Sequence, residues 1–138
     1  MRNRQKEALI LVLLAGVGCG PSSNTVHVSG QVTFDGEPVE QGEITFRPVQ
    51  GTEGPATGGV IKKGRYEVPA NVGPQRGGAY RVEIIGLKAS GRFIETGMGK
   101  PVPAFDHYIP TQFNTESTLE VVIPSDGSDC QQDFELES

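Results

Sequence analysis

Apolar and polar side chains alternate with a period of two residues along most of the chain after residue 25. At the start of this region Val28, Val32 and Phe34 share one parity, and polar residues take the other. A half-buried β-strand directs every second side chain into the core, so this pattern predicts a strand. Asp35-Gly36 follows as a turn dipeptide, because glycine adopts positive φ at little cost.

Further alternating stretches follow, and Gly, Pro, Asn and Asp separate them. Ile44 and Phe46 are expected to point inward from the second strand, and Gln41-Gly42 before it is predicted to be a turn. A weaker stretch after the next loop has Val60 as its expected buried residue. Turn residues at such short intervals are typical of an all-β sandwich or barrel.

The pattern as a whole predicts an all-β fold. No segment after residue 25 has a convincing 3.6-residue period, and the chain contains 19 glycines and 10 prolines. We therefore expect an about seven-stranded antiparallel β-sandwich, preceded by a signal-peptide helix, because parallel neighbours would need crossover helices. The residues expected to be most buried are Val32, Phe34, Ile44, Phe46, Tyr66, Val82, Ile84, Leu119, Val121 and Phe134.

Residues 1–18 have the features of an export signal. Basic side chains precede an apolar run of eight residues at 8–15, which is far shorter than the about 20 residues that a membrane-spanning helix needs. Small residues then lead to Cys19. The segment resembles a bacterial lipobox, and the resemblance implies cleavage between Gly18 and Cys19 with a diacylglycerol on the Cys19 thiol. The alternative is an ordinary secretory signal with an incidental cysteine.

These features predict three parts of the chain: a lipoprotein signal peptide at 1–18, a lipid-anchored tether at 19–25, and a β-sandwich domain at 26–138. We expect an exported, membrane-anchored lipoprotein that faces the periplasm or lies at the cell surface. Two or three acyl chains together hold a protein firmly to a membrane. The lipid on Cys19 would make the membrane its first partner.

The net charge argues against nucleic-acid binding. Residues 1–18 carry three basic side chains and one acidic one, so their removal changes the formal charge from −5 to −7. A domain that binds nucleic acid usually has a basic surface. We therefore expect no nucleic-acid partner.

Several stretches together resemble one family. V-S-G-Q-V-T-F-D-G-E-P-V, G-E-I-T-F-R-P, G-R-Y-E-V, A-Y-R-V-E-I and the D-F-E-L ending look like small bacterial lipoproteins with a carboxypeptidase regulatory-like domain, a transthyretin-like sandwich. The resemblance covers about residues 26–137. It implies a secreted, membrane-tethered β-sandwich, but no particular activity follows from a fold.

Residues with catalytic potential are few. His27 and His107 are the only histidines, and neither lies in a zinc-ligand spacing or beside a G-x-S-x-G motif. Cys130 is in phase with apolar residues, which favours a buried, inert thiol over a reactive one. Asp126 and Asp129 favour a turn with side-chain hydrogen bonds over calcium ligation. We expect no enzyme activity, no metal and no cofactor.

The stretch 86–112 is the least regular part of the chain and the best candidate for a binding site. It carries Phe93, Phe105, His107 and Tyr108 among glycines and prolines. Long irregular loops in compact domains are often functional. Its apolar residues either form a binding patch or fold back over an open edge of the sandwich, and a short hairpin near 92–96 is one arrangement of it. The expected function is a structural or protein-interaction module of the cell envelope; the alternative is a glycan- or small-ligand-binding module that uses 86–112.

Overall fold

The computed structural model describes residues 24–49, 51–97 and 99–138. The predicted signal peptide, with Gly18 and Cys19, lies outside the described residues, and so does most of the tether. The described chain is an all-β fold, as predicted. Its strands are β1 (Val28–Phe34), β2 (Glu37–Pro38), β3 (Gln41–Pro48), β4 (Thr57–Lys62), β5 (Arg65–Val68), β6 (Ala79–Ile94), β7 (Val102–His107), β8 (Glu120–Val122), β9 (Cys130–Gln131) and β10 (Phe134–Leu136), with short 3-10 helices at Ala70–Val72 and Thr111–Phe113.

Seven strands form one hydrogen-bonded path in the order β10-β1-β5-β4-β3-β6-β7, and β2, β8 and β9 attach beside it. The sheet curls around a single core. In the described part of the chain, neighbouring strands are antiparallel, except that β1 runs parallel to β9 and β10. This parallel pairing was not predicted. It needs no crossover helix because the whole intervening sheet connects the first strand to the last two.

Two hydrogen bonds support the parallel contact at residues 132 and 133, between β9 and β10. The Gln31 N–H donates to the Asp133 carboxylate at 2.8 Å, and the Tyr66 hydroxyl donates to the Gln132 carbonyl at 2.6 Å. A Cβ at Gly30 would lie 1.9 Å from the same carbonyl oxygen. Glycine at position 30 therefore allows the two terminal segments to meet.

The turns were predicted in part. Asp35 and Gly36 have φ of 49° and 81°, which is the double left-handed conformation of a tight hairpin turn, so this prediction is confirmed. The prediction of a turn at Gln41-Gly42 is wrong, because both residues begin β3. A Cβ at Gly42 would lie 2.0 Å from the Ile85 carbonyl oxygen, so the glycine serves close strand packing instead.

The predicted register of the sheet is confirmed. All of the predicted core residues are buried except Phe34 and Leu119, which are half-buried and pack against the core. The prediction for β4 is wrong by one residue: Val60 is 58% exposed, and Ile61 is fully buried. Glycines at 58 and 59 leave no side-chain alternation there from which the parity could be read. Tyr80 and Ile123, which have the inward parity of Val82 and Val121, are also buried, and Val39 is a buried residue that the prediction missed.

Strand β6 is 16 residues long and extends beyond the core. It pairs with β3 as far as Gly86 and then with β7 alone. We call residues 87–94 of β6 together with β7 the arm. The hairpin anticipated near 92–96 is therefore real but much longer. In the described residues, no helix has the length and apolar character needed to cross a membrane.

The chain enters the sandwich at the end of β6 opposite to the arm. Thr25 forms an isolated antiparallel β-bridge with Gln75. The Gln75 N–H donates to the Tyr80 hydroxyl at 2.8 Å. The fourteen residue steps from Tyr80 to Ile94 correspond to about 45 Å at roughly 3.3 Å per residue. Thr25 and the end of the arm therefore lie at opposite ends of β6.

Candidate functional site

The arm carries a cluster of exposed apolar side chains. The exposed fractions are 68% for Phe93, 55% for Ile94, 44% for Val102 and 41% for Phe105. The interpretation that these residues fold back over an edge of the sandwich is therefore wrong. The physical reason is that the arm is only two strands wide and extends past the core, so no opposing layer from the described part of the chain covers either face.

The apolar side chains occupy both faces of the arm. Phe93 lies opposite Pro103, and Ile94 lies opposite Val102. Directly opposed residues share a face and consecutive residues alternate, so Phe105 lies on the face of Phe93 and Pro103. Ile94 and Val102 lie on the other face. The end of the arm is therefore apolar all round.

A bulge in β6 shapes the arm. The register shifts between Ala89 and Phe93, and Gly91 takes a φ of 76°. The Ser90 hydroxyl donates to the Ala104 carbonyl at 3.0 Å, and Arg92 pairs with Asp106 at 2.9 Å. Bulges bend a strand and increase its local twist. Here the bulge and the ion pair separate the apolar end of the arm from the body of the sheet.

The free edge of the arm is β7, and Pro103 interrupts it. The Tyr108 N–H donates to the Gly86 carbonyl at 3.2 Å, which fixes the hydrogen-bonding parity of the hairpin. By that parity, the backbone groups of Pro103 and Phe105 point away from β6. Proline has no N–H, so this edge cannot complete a ladder with another strand. A partner would therefore contact the arm mainly through its side chains, because the outward backbone edge of β7 lacks the N–H of Pro103.

A groove lies where the arm joins the body. Its volume is about 450 Å³, and its lining residues are Phe34, Asp35, Glu37, Pro38, Glu40, Leu87, Lys88 and Tyr108. We call it the base groove. The Phe34 and Tyr108 rings meet edge to face with centroids 5.9 Å apart, which is a favourable aromatic geometry. Of the predicted site residues, Tyr108 alone lines this groove.

The Tyr108 hydroxyl is available to a ligand. Tyr108 is 36% exposed. Its hydroxyl makes no hydrogen bond with any described residue. Burial, and then the negative charge of Glu40, raise the pKa of the Tyr108 phenol. The hydroxyl therefore keeps its proton throughout the neutral range and can donate as well as accept.

The structure places His107 at the base of the arm, exposed and opposite Leu87. Ser117, the buried serine, donates its hydroxyl to the Val82 carbonyl and accepts from the Leu119 N–H at 3.2 Å. It therefore completes backbone hydrogen bonding in the core. His107 and Ser117 show no mutual hydrogen bond in the described part of the chain.

His27 lies on the opposite part of the sheet from His107. Its Nε2 is 2.9 Å from a Glu67 carboxylate oxygen, and its Nδ1 is 3.6 Å from one of Asp129. Both carboxylates are largely exposed. Among the residues that the structure describes, no three or more His, Cys, Asp and Glu side chains converge as metal ligands would.

The predictions for Cys130 and for the turn at residue 126 are confirmed. Cys130 is buried, and burial raises the pKa of its thiol, which disfavours the reactive thiolate. The Asp126 carboxylate accepts from the Ser128 N–H at 2.9 Å and from the Ser128 hydroxyl at 2.7 Å. These two bonds lower the pKa of the Asp126 carboxyl.

A concavity of about 610 Å³ lies on a different surface. It lies over β1, β4 and β5, and polar or charged side chains such as Gln31, Lys62, Arg65 and Glu67 form most of its lining. Its apolar lining side chains are Val60 and Tyr66, whereas four apolar or aromatic residues line the base groove: Phe34, Pro38, Leu87 and Tyr108. Ligand sites are usually apolar concavities with a few polar groups, so the base groove is the better candidate.

Sequence reasoning missed the five of the eight lining residues of the base groove that belong to the first hairpin. Phe34 and Glu40 come from the first hairpin, more than forty residues before the arm. Nothing in the local pattern signals that this hairpin lies against Leu87, because the contact depends on the curl of the sheet. Only Tyr108 had a local signal, as an aromatic residue in an irregular stretch.

The chain matches no protein-family model, no curated protein and no solved structure. The resemblance to lipoproteins with a carboxypeptidase regulatory-like domain therefore stays a prediction. The candidate sites rest on the geometry of the arm and of the base groove.

Proposed function

We propose that this protein is a membrane-tethered extracytoplasmic lipoprotein that acts without catalysis, as a cell-envelope module that binds a partner protein through the arm. One observation carries the proposal: Phe93, Ile94 and Val102 are exposed together at the end of the arm, and Phe105 is exposed on the same strand opposite Ala89. Clustered exposed apolar side chains on a soluble domain mark an interaction surface, whereas scattered single ones do not.

The shape of the arm favours a partner with an apolar cleft. An aromatic side chain offers about 150–250 Å² in total, so two partly exposed rings supply only a few hundred Å². A stable flat interface buries about 800 Å² on each partner. Because Phe93 and Ile94 lie on opposite faces, a cleft that encloses the arm would bury both sets of side chains at once.

Recognition by side chains fits the edge of the arm as well. Pro103 removes a donor from the outward row of backbone groups on β7. A partner that added a strand to this edge would leave one of its own carbonyls unpaired. An unpaired buried polar group costs about 1–3 kcal/mol, which disfavours strand addition and favours insertion of the arm into a cleft.

Anchoring at Cys19 would direct the arm away from the membrane. The tether enters the body beside Gln75, at the end of β6 opposite to the arm. Residues 19–25 span at most about 25 Å when fully extended, at roughly 3.5 Å per residue. This is shorter than the length of β6, which supports a partner on the side of the domain that faces away from the anchoring membrane.

Metabolic labelling tests the anchor. Cells that express the wild-type chain are expected to incorporate radiolabelled palmitate into it, and the Cys19→Ala variant is expected to incorporate none. A Cys130→Ala variant is the matched control and should be labelled like the wild type. Label that persists in Cys19→Ala would contradict lipidation at this residue.

Site-specific photocrosslinking in intact cells tests the arm. A photoreactive phenylalanine analogue at Phe93 should give one crosslinked product of discrete mass. The same analogue at Val122, which is 72% exposed at the other end of β6, is the matched control and should give none. Asp substituted for Phe105 in the Phe93 variant should remove the product, because a charge cannot enter an apolar cleft without a large desolvation cost.

The mass of the crosslinked product distinguishes the occupants. A product of about twice the monomer mass would mean that the arm binds a second copy of this chain. Crosslinks to lipid alone, or equal crosslinking from Phe93 and Val122, would contradict a specific protein partner.

The second candidate function is a glycan- or small-ligand-binding module that uses residues 86–112. The observation that favours it is the base groove, to which Leu87, Lys88 and Tyr108 contribute. A glycan array and a thermal-shift screen would distinguish it. A ligand whose stabilising effect is lost in Tyr108→Ala and kept in Phe93→Ala would favour this function over the first.

A further inference from the structure

The floor of the base groove is apolar and contains packed aromatic rings. Phe34 packs edge to face against Tyr108 on one side and against Phe113 on the other, with the second pair of centroids 6.5 Å apart. Leu87 and Pro38 complete the floor. The groove volume of about 450 Å³ lies within the roughly 300–1,000 Å³ that small-molecule sites occupy.

The rim of the groove is acidic. Asp35, Glu37 and Glu40 contribute three carboxylates, and Lys88 contributes one ammonium group, so the formal charge of the rim is −2. Asp35 is engaged, because its carboxylate accepts from the Ser138 N–H at 2.8 Å. Glu37, Glu40 and Lys88 make no side-chain hydrogen bond or ion pair with any described residue. The carboxylates of Glu37 and Glu40, which have no hydrogen-bond or ion-pair partner among the described residues, therefore border an apolar floor.

The acidic rim is held in place by the first hairpin. Asp35 and Gly36 form its tight turn, and the Val39 N–H donates to the Val32 carbonyl at 3.0 Å. Val39 itself is fully buried. The backbone that carries Glu37 and Glu40 is thus fixed on both sides, and a ligand would not have to order it. Such preorganisation reduces the entropic cost of binding.

We propose that the base groove binds an organic cation, an ammonium or guanidinium group on an apolar stem. The stem packs on Phe34 and Leu87, and the cation lies between the Glu37 and Glu40 carboxylates. The face of the Tyr108 ring attracts the same cation, because an aromatic quadrupole is negative above the ring. An anion of the same size would meet the net negative rim and is excluded.

This inference is independent of the proposed contact through the arm, since none of the groove residues belongs to the exposed apolar end. The cation could be a free amine or the side chain of a Lys or Arg in a polypeptide. Both present the same chemistry to the groove, so the experiment separates them by probe.

The test uses the full chain in detergent and three probes of one shape: 2-phenylethylammonium, 2-phenylethanol and phenylacetate. Calorimetry and saturation-transfer NMR measure binding. We expect the ammonium probe to bind and the neutral probe to bind at least about fivefold more weakly, as expected for the loss of one to two partly exposed charge contacts. Phenylacetate should bind most weakly of the three.

Variants assign the binding to the rim. Glu37→Gln and Glu40→Gln should each weaken binding of 2-phenylethylammonium about two- to fivefold, and together about tenfold. Glu95→Gln makes the same charge change near the far end of the arm and should leave the affinity unchanged. Both rim side chains are exposed, so these variants are expected to fold normally.

A peptide probe separates the two sources of the cation. Acetyl-Phe-Lys-amide is compared with its Nε-acetylated form, which has the same stem without the charge. If the charged peptide binds more tightly than 2-phenylethylammonium, the groove takes a polypeptide side chain; if it binds more weakly, the groove takes a free amine. Equal affinities for the ammonium and alcohol probes, no binding of any cation, or no effect of the double rim variant would overturn the proposal. A Phe105→Asp substitution that removes the crosslinked product formed from position 93 but keeps probe binding would separate failure of the arm function from failure of this one.

Discussion

The two halves of β6 have the same extended backbone and opposite surroundings. Residues 79–86 pair with β3 and β8 and bury Tyr80, Val82 and Ile84 to 0–1% exposure. Residues 87–94 pair with β7 alone and leave Phe93 68% exposed. The comparison shows that alternation along a strand does not by itself produce burial. An opposing layer must also be present, and the curled sheet ends before the strand does.

The difference separates stability from recognition. Apolar area removed from water contributes about 25 cal/mol per Å² to folding, and the inner half of β6 provides it. The exposed rings of the outer half contribute little of this kind. Substitutions in the two halves should therefore affect different properties. Those in the inner half should lower stability, and those in the outer half should lower binding.

The largest expected effect is at Phe46, which lies opposite Val82 on the neighbouring strand and is fully buried. Phe46→Ala removes a ring from the core and should lower the free energy of unfolding by about 3–5 kcal/mol. Chemical denaturation measures the change. Phe105→Ala on the arm is the matched control and should change stability by less than about 0.5 kcal/mol. Similar losses at both positions would contradict the division of β6.

Glycines of the two halves provide the second test. A Cβ at Gly86 would lie 2.4 Å from an Ile109 side-chain carbon and 2.9 Å from the Tyr108 ring. Gly86→Ala should cost about 1–3 kcal/mol through overpacking. Gly91 has open space around it, but its φ is 76°, so Gly91→Ala should cost about 1 kcal/mol from backbone strain alone. Thermal unfolding compares the two, and a larger loss at Gly91 would mean that the arm is more constrained than its exposure indicates.

The third test concerns Tyr66, whose hydroxyl donates to the Gln132 carbonyl. Burial, and then the charges of Cys130 and Asp133, raise its pKa above the ordinary value of 10.0. The unfolded chain therefore releases the phenol proton first, so this contribution to stability is complete below pH 10 and is lost as the pH rises further. Tyr66→Phe should cost about 1 kcal/mol at neutral pH and show a shallower alkaline loss. Denaturant melts between pH 7 and 11 measure both; parallel curves for the two proteins would contradict the assignment.

The smallest expected effect on stability is at Phe93. Phe93→Ser should leave the free energy of unfolding within about 0.5 kcal/mol of the wild type, because the ring has few neighbours to lose. It should also reduce self-association at high concentration, since it removes part of an exposed apolar cluster. Equilibrium denaturation and light scattering measure the two properties. A clear loss of stability would mean that the arm packs against the body in solution.

The sequence predicted those features that depend on local pattern. The inward parity of Val82 and Ile84 and the turn at Asp35 follow from alternation and glycine chemistry, and both are confirmed. Gly42 looked like a turn residue because a close approach between strands and a tight turn both require glycine. The sequence alone does not distinguish these two reasons.

Contacts between distant segments could not be predicted from pattern. The parallel pairing of β1 with β10 joins residues about one hundred positions apart, and no periodicity encodes a partner. The base groove has the same origin, since Phe34 and Tyr108 meet only when the sheet curls. The pattern around Phe93 did not decide between its two stated alternatives either, because an apolar residue in an irregular stretch is equally compatible with a covered edge and with a free surface.

The pairing of β1 with β9 and β10 has a mechanical consequence. A pulling force on the chain before Thr25 enters the domain along β1, which is held by β5 on one side and by the two C-terminal strands on the other. The inter-strand hydrogen bonds run across the direction of pull, so they are loaded together and must break together. If the arm is held by a partner while the tether is pulled, the domain resists extension as a unit, and the force required depends on the first strand rather than on the arm.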